Sequence, residues 1–292
     1  MVMSKSDWKI VSITYNVNSR KPESDQISQL IREEDASAAT IIAIGLQELS
    51  HSELFGTVPT EATWLSVLTA WLSSHGKSLL CKTSLAWNLL LVFAPLEIFP
   101  LVTKIDSRQS RSSLGGLTGH KGSVSLRIKF KDESSLVFIT SHLLPHVNNF
   151  EKRCLQYEYG KVCAFDDEAG NGAGTNVIWL GDFNWRVDRL SAQEMIKKLS
   201  ELNLNDDMDR LVNEFDQLRR AQRDRQAFMD YSEPEIHFAP TYRLLTNNLK
   251  DHMLSFRLAP HTTTRNVCRL GVIGSFTKVN RCNATDTNRT VW

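Results

Sequence analysis

From Trp8 to Val17 the apolar side chains fall on alternate positions: Val11, Ile13, Tyr15 and Val17. A period of two predicts a half-buried strand. Ile41-Ile42-Ala43-Ile44 is apolar at every position, as a strand covered on both faces should be. Val124, Leu126, Ile128 and Phe130 alternate with Ser125, Arg127 and Lys129. Lys131 to Ser134 then turns the chain and Leu136 to Ile139 returns, which predicts a hairpin. Val177 to Leu180 is a fourth strand. Helical spacing lies between these runs. Ile27, Leu30 and Ile31 form a short apolar face, and Trp64, Leu65, Leu68, Trp71 and Leu72 form a stronger one that Gly76 ends. Ser191 and Glu194 have capping-box spacing ahead of Met195, Ile196 and Leu199. Met208, Leu211, Val212, Phe215 and Leu218 keep the helical period. Gly170 to Gly174 reads as a loop. Beyond Leu245, Thr and Asn dominate and periodicity fades, apart from Leu270 to Ile273, so this tail is expected to be weakly ordered.

Each predicted strand ends on polar residues. Asn16 closes the first, Gln47-Glu48 the second, Ser141-His142 the third and Gly181-Asp182-Phe183-Asn184 the fourth. Singly, these are what turn residues, solvated charges or a satisfied histidine look like. Four coincidences at four strand ends point instead to one shared rim.

Composition narrows the chemistry. With 34 Lys+Arg against 33 Asp+Glu the net charge is +1, which excludes a globally basic nucleic-acid binder and leaves only local anion patches. Apolar residues at 41% of 292 allow a large core. Five cysteines without CxxC spacing suit a reduced, cytoplasmic chain, and the Asn283 and Asn288 sequons are then incidental. The start of the chain, Met1 to Asp7, is polar and shows no signal peptide. The most apolar stretch, Leu85 to Val102, is interrupted by Asn88, Pro95, Glu97 and Pro100 and falls short of the ~20 apolar residues of a membrane span.

A carboxylate among carboxamides suits a hard, oxygen-loving cation, Mg²⁺ rather than Zn²⁺. No HExxH or Cys/His cluster supports zinc. With a nearby Asp and His, such a site suits attack of water on a phosphate ester, the Asp orienting the water and the His and Asn donating to phosphoryl oxygens. Three further segments could hold anions. They are Gly115 to Gly122 with Lys121, Asn184-Trp185-Arg186, and Phe238 to Arg243 with Tyr242 beside Arg243. An ordinary turn, a surface ion pair or a packed tyrosine would explain each about as well.

Six motifs then occur in order: Thr14-Tyr15-Asn16-Val17-Asn18, Gly45-Leu46-Gln47-Glu48-Leu49, Gly119-His120-Lys121-Gly122, Ser141-His142-Leu143, Trp179 to Arg186, and Pro240-Thr241-Tyr242-Arg243. Over residues 8–245 this series resembles the inositol polyphosphate 5-phosphatase catalytic domain of the endonuclease/exonuclease/phosphatase superfamily. The run from Phe215-Asp216-Gln217-Leu218 to His237-Phe238 resembles it as well. The resemblance implies a DNase I-like, four-layer α/β/β/α sandwich with its site on one rim. It implies Mg²⁺ held by Glu48 and Asn16, catalysis by Asp182, Asn184, His142 and Asn16, and substrate binding by Lys121, Arg186, Tyr242 and Arg243. The substrate class would be phosphoinositides such as PtdIns(4,5)P₂, met at the cytosolic membrane leaflet, or soluble inositol polyphosphates. A nuclease on the same sandwich fits less well. Arg243 stands where the family has Lys, and His120 where most members have Asn.

The family's later Pro-Ala-Trp-Cys-Asp-Arg and Ser-Asp-His segments do not follow Leu245; Asp251-His252 stands too early to replace them. The expectation is therefore an incomplete domain over residues 8–245, lacking its last core strand, and a divergent tail over 246–292. The alternative is a phosphoinositide-binding pseudophosphatase or truncated isoform.

Overall fold

The computed structural model describes residues 8–22, 26–50, 60–113, 118–167, 175–201, 208–233, 263–264 and 276–278. The first sheet comprises β1 (Ile10–Asn16), β2 (Ile41–Gln47), β3 (Ser78–Leu85) and β4 (Asn88–Ala94), in the order β1-β2-β4-β3. The second contains β5 (Val102–Ser113), β6 (Thr118–Phe130), β7 (Ser135–His142) and β8 (Thr175–Asp182). Beyond β9 (Arg186–Val187) come β10 (Tyr231–Ser232), β11 (Thr263–Thr264) and β12 (Phe276–Lys278). The second sheet runs β10-β12-β8-β7-β6-β5, and β11 pairs with β9 alone. The helices are α1 (Gln26–Leu30), α2 (Glu33–Ala38), α3 (Thr60–Ser74), α4 (Phe150–Gly160), α5 (Ala192–Glu201), α6 (Met208–Phe215) and α7 (Gln217–Arg223).

Alternation along β7 and β8 builds the layers. Leu136, Phe138, Ile178 and Leu180 join one core with Ile42, Ile44, Leu89, Leu91, Leu126 and Ile128. Their neighbours Val137, Ile139, Val177 and Trp179 join a second core with Tyr157, Phe165, Leu218 and Phe228. A strand's side chains point alternately to opposite faces, so each strand feeds both cores. The first core also takes Ile27 and Leu30 of α1 and Trp64, Leu68 and Leu72 of α3; the second takes α4 and α7. The result is the expected α/β/β/α sandwich. Between its sheets, buried Gln47 accepts from Thr14 Oγ1 at 3.0 Å and donates to Thr140 Oγ1 at 3.1 Å.

Two parallel pairs set the rim. β1 runs parallel to β2, and β7 parallel to β8. Parallel neighbours need a crossover. Here α1 with α2, and α4, lie between the paired strands in sequence. The register ends both pairs on polar residues: Asn16 opposite Gln47, and His142 opposite Asp182.

Several expectations change. The helical period through Leu218 is broken at Asp216, which is extended at φ −80° and ψ 126° and caps α7 by accepting from the Leu218 and Arg219 amides. Thr118 to Gly122 belongs to β6, where a glycine-rich loop was expected; Gly115 to Leu117 lie outside the described residues. The apolar stretch after Leu85 is the buried strand β4 followed by a 3₁₀ turn, Leu96–Leu101. No described helix is long and apolar enough to cross a membrane. The tail contributes β12, antiparallel to β8 through Phe276↔Trp179, so the outer side of β8 carries a short strand where none was expected.

The capping box is as read. The Ser191 amide and hydroxyl donate to Glu194 at 2.7 and 2.8 Å, and the Glu194 amide donates back to Ser191 Oγ at 3.2 Å. Ser191→Ala should destabilise by about 1 kcal/mol. Thermal denaturation should show a midpoint lower by roughly 2–4 °C.

Candidate active site

The polar strand ends meet. Asn16 Nδ2 donates to Asp182 Oδ2 at 3.0 Å across 166 positions of sequence. His142 Nε2 lies 3.3 Å from the same oxygen and 3.7 Å from Glu48 Oε1. The Lys121 ammonium contacts His142 Nε2, since Gly122 pairs with His142 and brings its neighbour to the rim. One ligand atom each from Glu48, His142 and Asp182 lies within 4.8 Å of the others.

The backbone aims these groups. Glu48 leaves β2 in the left-handed region at φ 60°, where a non-glycine residue stays only if its surroundings hold it. Ser19 N donates to its carbonyl at 2.9 Å, and the next amide, Leu49 N, donates to Trp87 O at 3.0 Å. Asn184 repeats the device at φ 54°. Its amide donates to Asp182 Oδ1 at 3.2 Å in an Asx turn. Its Nδ2 donates to Leu143 O at 3.0 Å.

Burial and charge set the protonation states. Burial pushes the Asp182 carboxyl upward, but the His142 ring, the Asn16 amide and the Lys121 charge outweigh it and hold it below the ordinary carboxylate value. Asp182 is therefore a carboxylate at neutral pH. Burial also draws Lys121 below its ordinary value, with Asp182 and Glu48 opposing.

Arg186 is only 4% exposed. Its Nη2 donates to Asn184 Oδ1 at 2.8 Å, so the guanidinium lies behind Asn184 rather than standing as an open clamp. Tyr242, Arg243 and Asp251-His252 lie outside the described residues. Sequence reasoning missed two residues that brace the site. Arg153 reads as one more helix cation, yet it is fully buried. Burial foremost, with the charge of Arg186, lowers it to about 10, so it stays protonated. Gln217 stood in a stretch already noted for its resemblance but had no assigned role.

Two carboxylates, an imidazole and a carboxamide make a donor set that fits a hard divalent ion, with Glu48 as the more accessible ligand. The arrangement presents a fixed carboxylate beside an imidazole and an ammonium. It can hold a water against an anionic electrophile.

Comparison with known proteins agrees with this chemistry. Residues 13–253 match endonuclease/exonuclease/phosphatase family 2. The Schizosaccharomyces pombe inositol-1,4,5-trisphosphate 5-phosphatase 1 is 26% identical over 80% of this chain and 22% of its own length. Human synaptojanin-2 is 29% identical over 72% of this chain and 14% of its own length. The chain thus spans less than a quarter of these relatives. Among solved structures, the inositol polyphosphate 5-phosphatase domain of SpSynaptojanin, in complex with inositol (1,4)-bisphosphate and calcium ion, superposes with a TM-score of 0.68. Identity there is 22%, covering 94% of this chain and 86% of that one. A Cimex nitrophorin, in a ferrous NO complex, reaches 0.71 at 16% identity over 93% of this chain and 87% of that one. The fold therefore carries unrelated functions, and only the site can choose among them.

Proposed function

The chain belongs to endonuclease/exonuclease/phosphatase family 2, and from that membership we propose that it is a Mg²⁺-dependent inositol polyphosphate 5-phosphatase. The observation that carries the reading is the convergence of Glu48, His142 and Asp182 on one rim, with Asn16 and Asn184 bonded to Asp182. Phosphoryl transfer asks a protein chiefly for positioning and electrostatic stabilisation, and this rim offers both.

Glu48 and Asn16 would hold the Mg²⁺ ion. When bound, the ion supplies neutralisation of the charge that develops on the phosphoryl oxygens. Asp182 orients a water in line with the 5-phosphate and takes its proton. Its carboxylate state at neutral pH supports that role. His142 and Asn184 donate to the phosphoryl oxygens, and Lys121 adds positive charge beside them. Tyr242 and Arg243 are proposed to grip a neighbouring phosphate of the substrate. Arg186 supports binding through Asn184.

The substrate is proposed to be a phosphoinositide such as PtdIns(4,5)P₂ or a soluble inositol polyphosphate. For a lipid, the rim would face the cytosolic leaflet, where anionic headgroups attract basic residues. A cytoplasmic setting is proposed from the cysteine spacing alone, five cysteines without a CxxC pair.

Phosphate release should be measured from PtdIns(4,5)P₂ vesicles and from inositol 1,4,5-trisphosphate. EDTA should abolish release and added Mg²⁺ should restore it. Mg²⁺ should also raise the thermal midpoint by mass action. Headgroup binding without turnover, unchanged by Asp182→Ala, would replace this reading with the pseudophosphatase.

A further inference from the structure

We propose that Gln217 is a positioning residue for Asn184, acting through a closed ring of hydrogen bonds behind the rim; this rests on the phosphatase reading above. The chain must leave β7 and β8 side by side and keep Asn184 turned toward Asp182. Two exit segments do this, residues 143–147 and 183–188, and strand pairing in them is confined to the two residues of β9 with β11 and a bridge from Val187 to Asp216.

The ring can be followed bond by bond. Asn184 Nδ2 donates to Leu143 O at 3.0 Å. The next carbonyls of that segment, Leu144 O and His146 O, accept from Arg153 Nη1 at 2.9 and 2.7 Å. Arg153 Nη2 donates to Gln217 Oε1. The Arg186 amide donates to the same oxygen at 3.2 Å. Arg186 Nη2 returns to Asn184 Oδ1 at 2.8 Å.

Gln217 is where the two segments meet. It is 2% exposed. Besides the two bonds at Oε1, its Nε2 donates to Val147 O at 3.1 Å and to Asp188 Oδ2 at 3.0 Å. Both lone pairs and both protons of the carboxamide are used. No other side chain type supplies two acceptor and two donor sites at this shape. The Asp216 cap fixes the first turn of α7 and with it the Gln217 backbone. Gln217 touches no proposed substrate atom, so its effect reaches the reaction only through where Asn184 stands.

The test is Gln217→Glu, which keeps the shape and reverses one half of the group. The new oxygen would face Val147 O and Asp188 Oδ2, acceptor against acceptor. Asp188→Asn can restore a donor to one of these contacts, giving up the Arg220 Nη1–Asp188 Oδ2 ion pair of 2.8 Å. Three variants are compared with wild type: Q217E, D188N and Q217E/D188N. Expected for Q217E is a kcat lower by about 10²-fold, since small misplacements near the chemistry have effects of this size, with KM changed less than about threefold. The double variant should recover about tenfold of that loss, and D188N alone should lose only a few-fold. A general loss of stability would lower the active fraction without such rescue.

Amide hydrogen exchange gives an arm independent of activity. Residues 143–147 and 184–188 should exchange faster in Q217E and return toward wild type in the double variant. Unchanged exchange in Q217E, wild-type kcat in Q217E, or strictly additive effects in the double variant would each overturn the proposal. If wild type releases no phosphate, the phosphatase reading fails, and the exchange arm alone still decides whether Gln217 locks these segments.

Discussion

Asp182→Asn should lower kcat for phosphate release by about 10³-fold, the size of effect that loss of one general base or one preorganised electrostatic group has elsewhere. The substitution keeps the shape and removes the charge. Asp182 Oδ2 is the oxygen that Asn16 and His142 both address, at 3.0 and 3.3 Å. An amide there either turns its N–H₂ toward the Asn16 donor or offers a weaker acceptor. In both cases position 182 itself can no longer take a proton from water. KM should change little, because in the proposed reading the substrate phosphates are met by Lys121 and not by Asp182. Single-turnover phosphate release, with circular dichroism to confirm the fold, checks it. Activity within tenfold of wild type would remove Asp182 from the reaction.

How much of this site the sequence disclosed depends on where each residue gets its meaning. Asn16 ends a strand visible by its alternation, and His142 and Asp182 end strands visible as short apolar runs, so their clustering follows once parallel pairing aligns the ends. Glu48 and Asn184 were visible as residue types, but their left-handed backbone was not. That conformation is imposed by long-range bonds such as Ser19 N to Glu48 O. Arg153 and Gln217 were opaque for the same reason. A cation and a carboxamide at helix positions look solvated until two other segments are folded over them.

The strands divide similarly. β2, β7 and β8 were read because burial on both faces leaves short runs that are apolar at successive positions. β3 and β5 were missed. Each is the terminal strand of its sheet, β3 carries Lys82 and Ser84, and β5 carries Lys104, Asp106 and Arg108. Edge strands carry such charges to discourage further pairing, and the charges hide the apolar alternation. β12 was missed because three residues of pairing are too few to leave a period.

The largest expected loss of stability is at Gly181, and it shows why Asp182 follows a glycine. Gly181 lies in β8 opposite Ser141 of β7, one step before the His142–Asp182 pair. Its φ is +140°, a region that side chains rarely tolerate. A Cβ there would stand 2.1 Å from Ser141 O and 2.5 Å from Ser141 N. Those atoms are backbone, so no rotamer change can relieve the overlap. The two strands must separate where the rim is assembled. Strain of roughly 1–3 kcal/mol from the dihedral adds to about as much from overpacking. Gly181→Ala should therefore lower the thermal midpoint by about 10 °C, or leave the protein insoluble. Gly76→Ala is the comparison. Gly76 also has positive φ, +71°, but nothing lies within 4 Å of its added Cβ. Its loss should be confined to the dihedral penalty, about 1 kcal/mol. Equal midpoints for the two variants would mean that backbone crowding between β7 and β8 does not hold the rim together. A large gap between them would show that the close approach of β7 and β8 at Gly181 costs an added Cβ more than its dihedral alone.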